Sequence, residues 1–201
     1  MKVFDMLIPM TIEGMRITIG VFLLTLIISL PLSIIIAKLR MSKNKIVSKV
    51  TGIYIYIMRG TPLLLQLMFI FFGFHYIPVI GFAFGRYQAI LVAFVLNYTA
   101  YFAEIFRGGI NAIDIGQIEA STVLGLSKRF TFMKVILPQV LKNVMPSIGN
   151  EVITLVKDTS LVYILGVADI LKAAKSVSNT YSTFIPYIFV GLIYLIITAL
   201  L

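Results

Sequence analysis

Three acidic side chains stand inside or beside long apolar stretches: Glu104, Glu151 and Asp158. Ionisable groups in such a setting are expensive, and they usually mark the pathway of a polar or charged solute. Glu151 and Asp158 are seven residues apart, so two helical turns put them on one face, with Thr154 and Thr159 close in sequence. That face can hold a guanidinium or ammonium group through charge-assisted hydrogen bonds. The competing role for Glu151 is a pairing with Lys142 or Lys157 that docks helices. Glu104 and Arg107, one turn apart, suit a mutual ion pair better than contact with a solute. Four uncharged polar residues are further candidates. Asn97 and Tyr98 interrupt an apolar run about midway, where an amide and a phenol can hold a polar ligand. Gln66 lies one turn beyond Pro62. Thr61 and Pro62 read as a helix start, with Thr61 as N-cap and Pro62 in the first turn; the exposed N–H groups there can attract a carboxylate. For each of these four, hydrogen bonding between helices is the alternative use.

Enzymatic chemistry has no footing. The chain has no cysteine and one histidine, and no G-x-x-x-x-G-K-[ST] loop that could cradle nucleotide phosphates. His75 lies in "FFGFHYIPVIG", a stretch punctuated by glycine and proline near the outer surface, and reads as structural. No group of carboxylates and histidines has metal-ligand spacing, so neither a metal nor a cofactor is expected in this chain. If a solute moves uphill, another chain supplies the energy.

The elements that carry these residues must sit in lipid. Of 201 residues 60% are apolar and 12% charged, against roughly 45–50% and about 25% in soluble domains. Charge-free runs cover Ile17–Ala37, Gly60–Gly85, Tyr87–Ala103 and Ser176–Leu201. About 20 apolar residues cross the hydrocarbon core as a helix, which satisfies its own backbone hydrogen bonds where water cannot. A fifth, polar-studded span fits between Gln139 and Val156. The first run is too long for a signal peptide, follows Asp5 and Glu13, and precedes "KLRMSKNK"; it stays as an anchor. The expected fold is therefore all-α and polytopic, a single transmembrane domain over 1–201.

Cations set the orientation. Segment 38–59, taken as a connection, holds six and segment 107–142 holds five, whereas the opposite side has six over three segments. Cations are retained on the cytoplasmic side, so the N-terminus lies outside and the C-terminus inside after five spans. The net charge of +9 clusters beside spans, as topology signals and lipid-headgroup contacts do, and not as a nucleic-acid surface does. The last apolar run meets no flanking cation before Leu201, so a short basic tail is expected beyond it.

Between spans three and four, residues 110–139 dilute the grease with charge and glycine while keeping a helical pattern. Asp114 and Gln117 precede "IEAS", Gly125 can supply the positive φ that ends a first helix, and Ser127 can cap a second. Ala120 and Ser121 keep one face thin for a partner's backbone or groove. On pattern alone this could equally be an amphipathic segment lying on the membrane.

The residues themselves go further. Glu119-Ala120-Ser121, then Gly125, then "ILP" at Ile136–Pro138, resembles the EAA loop of ATP-binding-cassette (ABC) importer permeases, with serine in place of the second alanine. "RGTPLLLQL" (59–67), "YFAEIFRGGINAIDIGQIEAS" (101–121), "LGLS" (124–127) and "GNEVITLVKDTSLV" (149–162) resemble the polar amino acid branch of that family. The resemblance covers nearly the whole chain. It implies that Glu119, Ala120, Ser121 and Gly125 belong to coupling helices that dock on an ABC ATPase. It also implies two permease subunits, two ATPases that bind ATP and Mg²⁺, an extracellular amino acid-binding protein, and alternating access in a bacterial inner membrane. Asp158, in "KDTSL", then serves structure or the α-amino group common to the substrates. "NEV" at 150–152 and "GVADILKAAKSV" at 166–177 resemble permeases for basic amino acids. A cationic amino acid such as arginine, lysine or histidine is expected, with glutamine or another polar amino acid as the alternative. A secondary transporter would instead carry inverted repeats, and none is visible; a non-transporting scaffold would have no use for two acids on one face.

Overall fold

A computed structural model describes residues 2–76 and 84–201, the His75 side chain excepted, and every regular element among them is helical. The expected role of His75 therefore lies outside what is described. Helix α1 (Lys2–Arg40) has Asp5 in its first turn and Lys38 and Arg40 in its last, matching the helix dipole. Its packed side is small and hydroxylic: Thr11, Thr18, Thr25, Ser29, Ser33 and Ala37 are all buried, while Ile12, Ile19, Leu23, Ile27 and Ile34 are exposed. That distribution suits lipid, where association depends on close packing of small residues and large apolar side chains can face outward.

Helix α2 (Lys45–Gly60) follows after a turn of four residues. The Asn44 side chain caps it, Oδ1 accepting from the Ile46 N–H at 2.9 Å. Segment 38–59 is thus not a loop, as the cation count had it, but a helix hairpin end; the apolar residues at helical spacing that fill α2 were masked by its lysines. Helix α3 (Leu63–Met68) continues as a π-helical stretch, Phe69–Gly73, and a 3₁₀ turn, Phe74–Tyr76. The break between α2 and α3 falls at Thr61–Pro62. Pro62 itself takes the N-cap position, with extended backbone (φ −62°, ψ 135°), so Thr61 is not the cap. A proline lacking its N–H and fixed near this φ starts α3 without any side-chain acceptor.

Helix α4 (Arg86–Asn111), α5 (Ile115–Val123) and the short α6 (Lys128–Phe130) come next. A π-helical stretch, Thr131–Ile136, joins α6 to α7 (Leu137–Asp158), which ends in a 3₁₀ turn, Thr159–Leu165. The final charge-free run is not one helix. It is divided between α8 (Ile170–Tyr181) and α9 (Ile185–Leu200), broken where Ser182 adopts a left-handed conformation (φ 49°). Charge-free runs report solubility in lipid and not helix continuity, which is why the break was not legible. Among the described residues α1 and α4 are each long and apolar enough to cross a membrane, and α2 with α3 and its continuation passes the same test as a broken pair.

Packing divides the chain into two compact units. The first comprises 1–28, 61–98 and 152–201. Its α8–α9 hairpin buries Ile170, Ala174 and Val190, with Met15 and Tyr194 packed alongside. At Gly14 a Cβ would stand 2.6 Å from the Asp169 carbonyl carbon, so only glycine admits this approach. Asp169 caps α8, accepting from Lys172 N–H at 2.9 Å and Leu171 N–H at 3.1 Å. Burial raises its carboxyl above the usual carboxylate range, against the pull of those donors. The second unit comprises 29–60 and 99–151. There Gly109 lets α4 approach Val140 and Val144 on α7, and Arg40 Nη1 donates to Ser48 Oγ at 2.7 Å across the α1–α2 turn.

Candidate functional site

In the first unit, α4 delivers Asn97 and Tyr98 side by side to two different partners. Asn97, buried, donates through Nδ2 to Gln66 Oε1 at 3.0 Å. Gln66 in turn donates through Nε2 to Thr61 Oγ1 at 2.8 Å and to the Thr61 carbonyl at 3.1 Å. The side chain that does not cap α3 instead anchors a chain of amides running back from α4. Tyr98, one of the largest fully buried residues, stacks on Phe94 with ring centroids 6.5 Å apart. Its hydroxyl donates to Asp158 Oδ2 at 2.8 Å. Consecutive residues on a helix point about 100° apart, which is how one helix serves both contacts. Asp158 closes α7, and Thr159 after it is buried with its hydroxyl donated to the Val156 carbonyl at 2.6 Å.

The structure therefore brings together five of the six residues expected around a substrate: Thr61, Gln66 and Asn97 in one chain, Tyr98 and Asp158 in a neighbouring pair. The sixth, Glu151, belongs to the second unit, where it is half-buried on α7. Because α7 is continuous from Leu137 to Asp158, Glu151 and Asp158 keep the two-turn spacing that puts them on one helical face. Glu104 and Arg107 form the expected ion pair, Arg107 Nε donating to Glu104 Oε2 at 2.9 Å and Nη2 to Oε1. The Tyr98–Asp158 bond joins residues 60 apart in sequence, and no local pattern could have announced it.

The second unit also carries the helix pair at 110–139. Asp114 caps α5, its Oδ1 accepting from the Gly116 N–H at 2.7 Å. Gly125 has φ 70° after Leu124, and the Ser127 hydroxyl accepts from the Phe130 N–H at 3.3 Å; each of these three local roles was legible from residue type. One was not. Ser121 is buried and donates to the Gln117 carbonyl, so it does not thin the outer face. The outward surface is Glu119 and Ala120 together with Ile115, Ile118, Val123 and Leu124, the last two 88% and 74% exposed. Apolar side chains this exposed at the end of a short, charged segment mark a surface meant to be covered by protein.

Residues 29–201 match the family described as binding-protein-dependent transport system inner membrane component. The arginine transport system permease protein ArtQ of Bacillus subtilis is 38% identical over 96% of this chain and 88% of its own length. A permease named for glutamine transport, GlnP of Rickettsia bellii, is 37% identical over 94% of this chain and 87% of its own. Among solved structures, an amino acid ABC transporter crystallised with histidines superposes with a TM-score of 0.86 at 35% identity, covering 95% of this chain and 88% of that one.

Proposed function

Since the chain belongs to the family of binding-protein-dependent transport system inner membrane components and is the permease subunit of an amino acid ABC transporter, we propose that the amino acid it passes is cationic. The chain itself is non-catalytic; an ATPase subunit and a substrate-binding protein work with it. The observation that carries the substrate reading is the acidic face of α7: Glu151 and Asp158 lie two turns apart on one unbroken helix, both half-buried. In this reading Asp158, held in position by Tyr98, takes the α-ammonium group, and Glu151 takes the guanidinium or ammonium of the side chain. A half-buried carboxylate left without a cation is penalised, so a neutral substrate is disfavoured as well as a cationic one favoured. The relative named for arginine transport agrees with it.

The remaining assembly follows the same proposal. The chain acts as one transmembrane domain with five spans, N-terminus outside and C-terminus inside, and pairs with a second copy of itself. Two ATPases bind ATP and Mg²⁺ and grip the exposed face of α5 around Glu119, Ala120, Val123 and Leu124. Their closure, favoured by nucleotide, swings the permeases between two states; only a difference in nucleotide affinity between those states can drive the swing.

A neutral polar amino acid such as glutamine is the second reading. It is favoured by the Thr61–Gln66–Asn97 chain, which is built wholly of hydroxyl, amide and carbonyl groups, and by the relative named for glutamine transport. Uptake of labelled arginine by the assembled transporter in proteoliposomes, challenged with unlabelled lysine, histidine and glutamine, separates the two. Competition by the cations at concentrations at least about tenfold below glutamine supports the first, since one charge-assisted hydrogen bond is worth about 1.5–3 kcal/mol. Equal or better competition by glutamine overturns it.

A further inference from the structure

Within the second unit lies a cavity of about 430 Å³ bordered by Arg40, Tyr56, Arg59, Tyr101 and Glu104, with Gly52 and Gly60 forming part of its wall. Its charge is one-sided. Both oxygens of Glu104 are taken by Arg107, so that carboxylate is already neutralised. Arg59 lies over the Tyr101 ring, 5.3 Å from its centroid. Arg40 is steadied by Ser48, and at Gly52 a Cβ would stand 3.2 Å from the Arg40 guanidinium carbon, so the glycine gives that group its room. Two guanidinium groups thus border one open cavity, and neither forms an ion pair among the described residues.

Beside it, α2 turns a row of apolar side chains outward: Ile46, Val50, Ile53 and Ile57, spaced four, three and four residues apart and 75%, 61%, 50% and 48% exposed. Tyr56, 79% exposed, stands where that row meets the arginines. Apolar stripe, interfacial tyrosine and basic cavity in this order match an acyl chain, the interface and an anionic headgroup. We infer that this cavity is a binding site for the phosphate of an anionic phospholipid, with Arg59 and Arg40 as its ligands and the outward row of α2 as the bed for the acyl chains. Guanidinium groups suit the task because their planar fork donates two parallel hydrogen bonds to phosphate.

The test uses the permease assembled with its ATPase in phosphatidylcholine nanodiscs doped with spin-labelled phosphatidylglycerol. The immobilised fraction of label is read for wild type, Arg59→Gln, Arg59→Lys and, as a basic residue elsewhere, Arg129→Gln. Arg59 is the residue of choice because its only described contact is a ring face, whereas Arg40 also secures the α1–α2 turn. A fall in affinity of about tenfold in Arg59→Gln, an intermediate value in Arg59→Lys and no change in Arg129→Gln is expected. Unchanged immobilisation in Arg59→Gln would overturn the site. Displacement of the label by inorganic phosphate as readily as by unlabelled phosphatidylglycerol would make it a simple anion site and refute the lipid. Displacement by the transported amino acid would assign the cavity to the transport route, again against the proposal.

Discussion

The Tyr98 hydroxyl donates a 2.8 Å hydrogen bond to Asp158 Oδ2, joining the middle of α4 to the last residue of α7. Tyr98 is 1% exposed and cannot turn to another partner without unpacking Phe94. The bond therefore fixes where one carboxylate oxygen points and leaves the other, Oδ1, for a further donor.

Tyr98→Phe removes that bond with little change of shape. Hydrogen bonds to charged groups contribute about 1.5–3 kcal/mol, so substrate affinity of the assembled transporter is expected to fall about tenfold to hundredfold. Asp158→Asn should cost at least as much, and the double variant little more than Asp158→Asn alone. A double-mutant cycle on binding checks this, and strictly additive losses would show that the two residues act independently.

Asn97→Ala should lower stability rather than selectivity. It withdraws a donor from a buried amide chain and leaves Gln66 Oε1 short of a partner, a loss of about 1–3 kcal/mol. The thermal midpoint of the purified transporter should drop, while the ranking of competing amino acids stays as in wild type. A reordered ranking would move Asn97 from scaffold to substrate contact.

On the cytoplasmic helix pair, Val123→Asp or Leu124→Asp places a charge on an exposed apolar surface. Neither disturbs a buried contact within the chain, so the permease should still accumulate in the membrane. It should fail to co-purify with its ATPase. Retention of the ATPase by both variants would remove α5 from the docking surface.

How much of this was legible depended on range. Local chemistry was readable: Asp114 and Ser127 as helix caps, Gly125 at positive φ and the Glu104–Arg107 pair each depend on residues within three positions of one another. Helix continuity was not, because an apolar run reads the same whether one helix fills it or, as at Ser182, two. Thr61 failed for a related reason: a threonine before Pro-Leu-Leu fits an N-cap, but Gln66 one turn on competes for its oxygen and wins. Ser121 shows the limit for surfaces, since small size alone does not say whether a face turns in or out. The amide chain and the Tyr98–Asp158 bond link residues 31 and 60 apart; their members were identifiable as polar residues in lipid, but their pairing belongs to the fold.

The central claim, a cationic substrate recognised by Glu151, is tested most directly by equilibrium binding of labelled arginine and glutamine to the purified transporter, wild type beside Glu151→Gln. The account predicts that wild type prefers arginine and that the variant loses arginine affinity by about tenfold or more while glutamine binding holds or improves. Equal arginine binding by the two proteins, or a wild-type preference for glutamine, would contradict it and leave Glu151 a structural residue of α7.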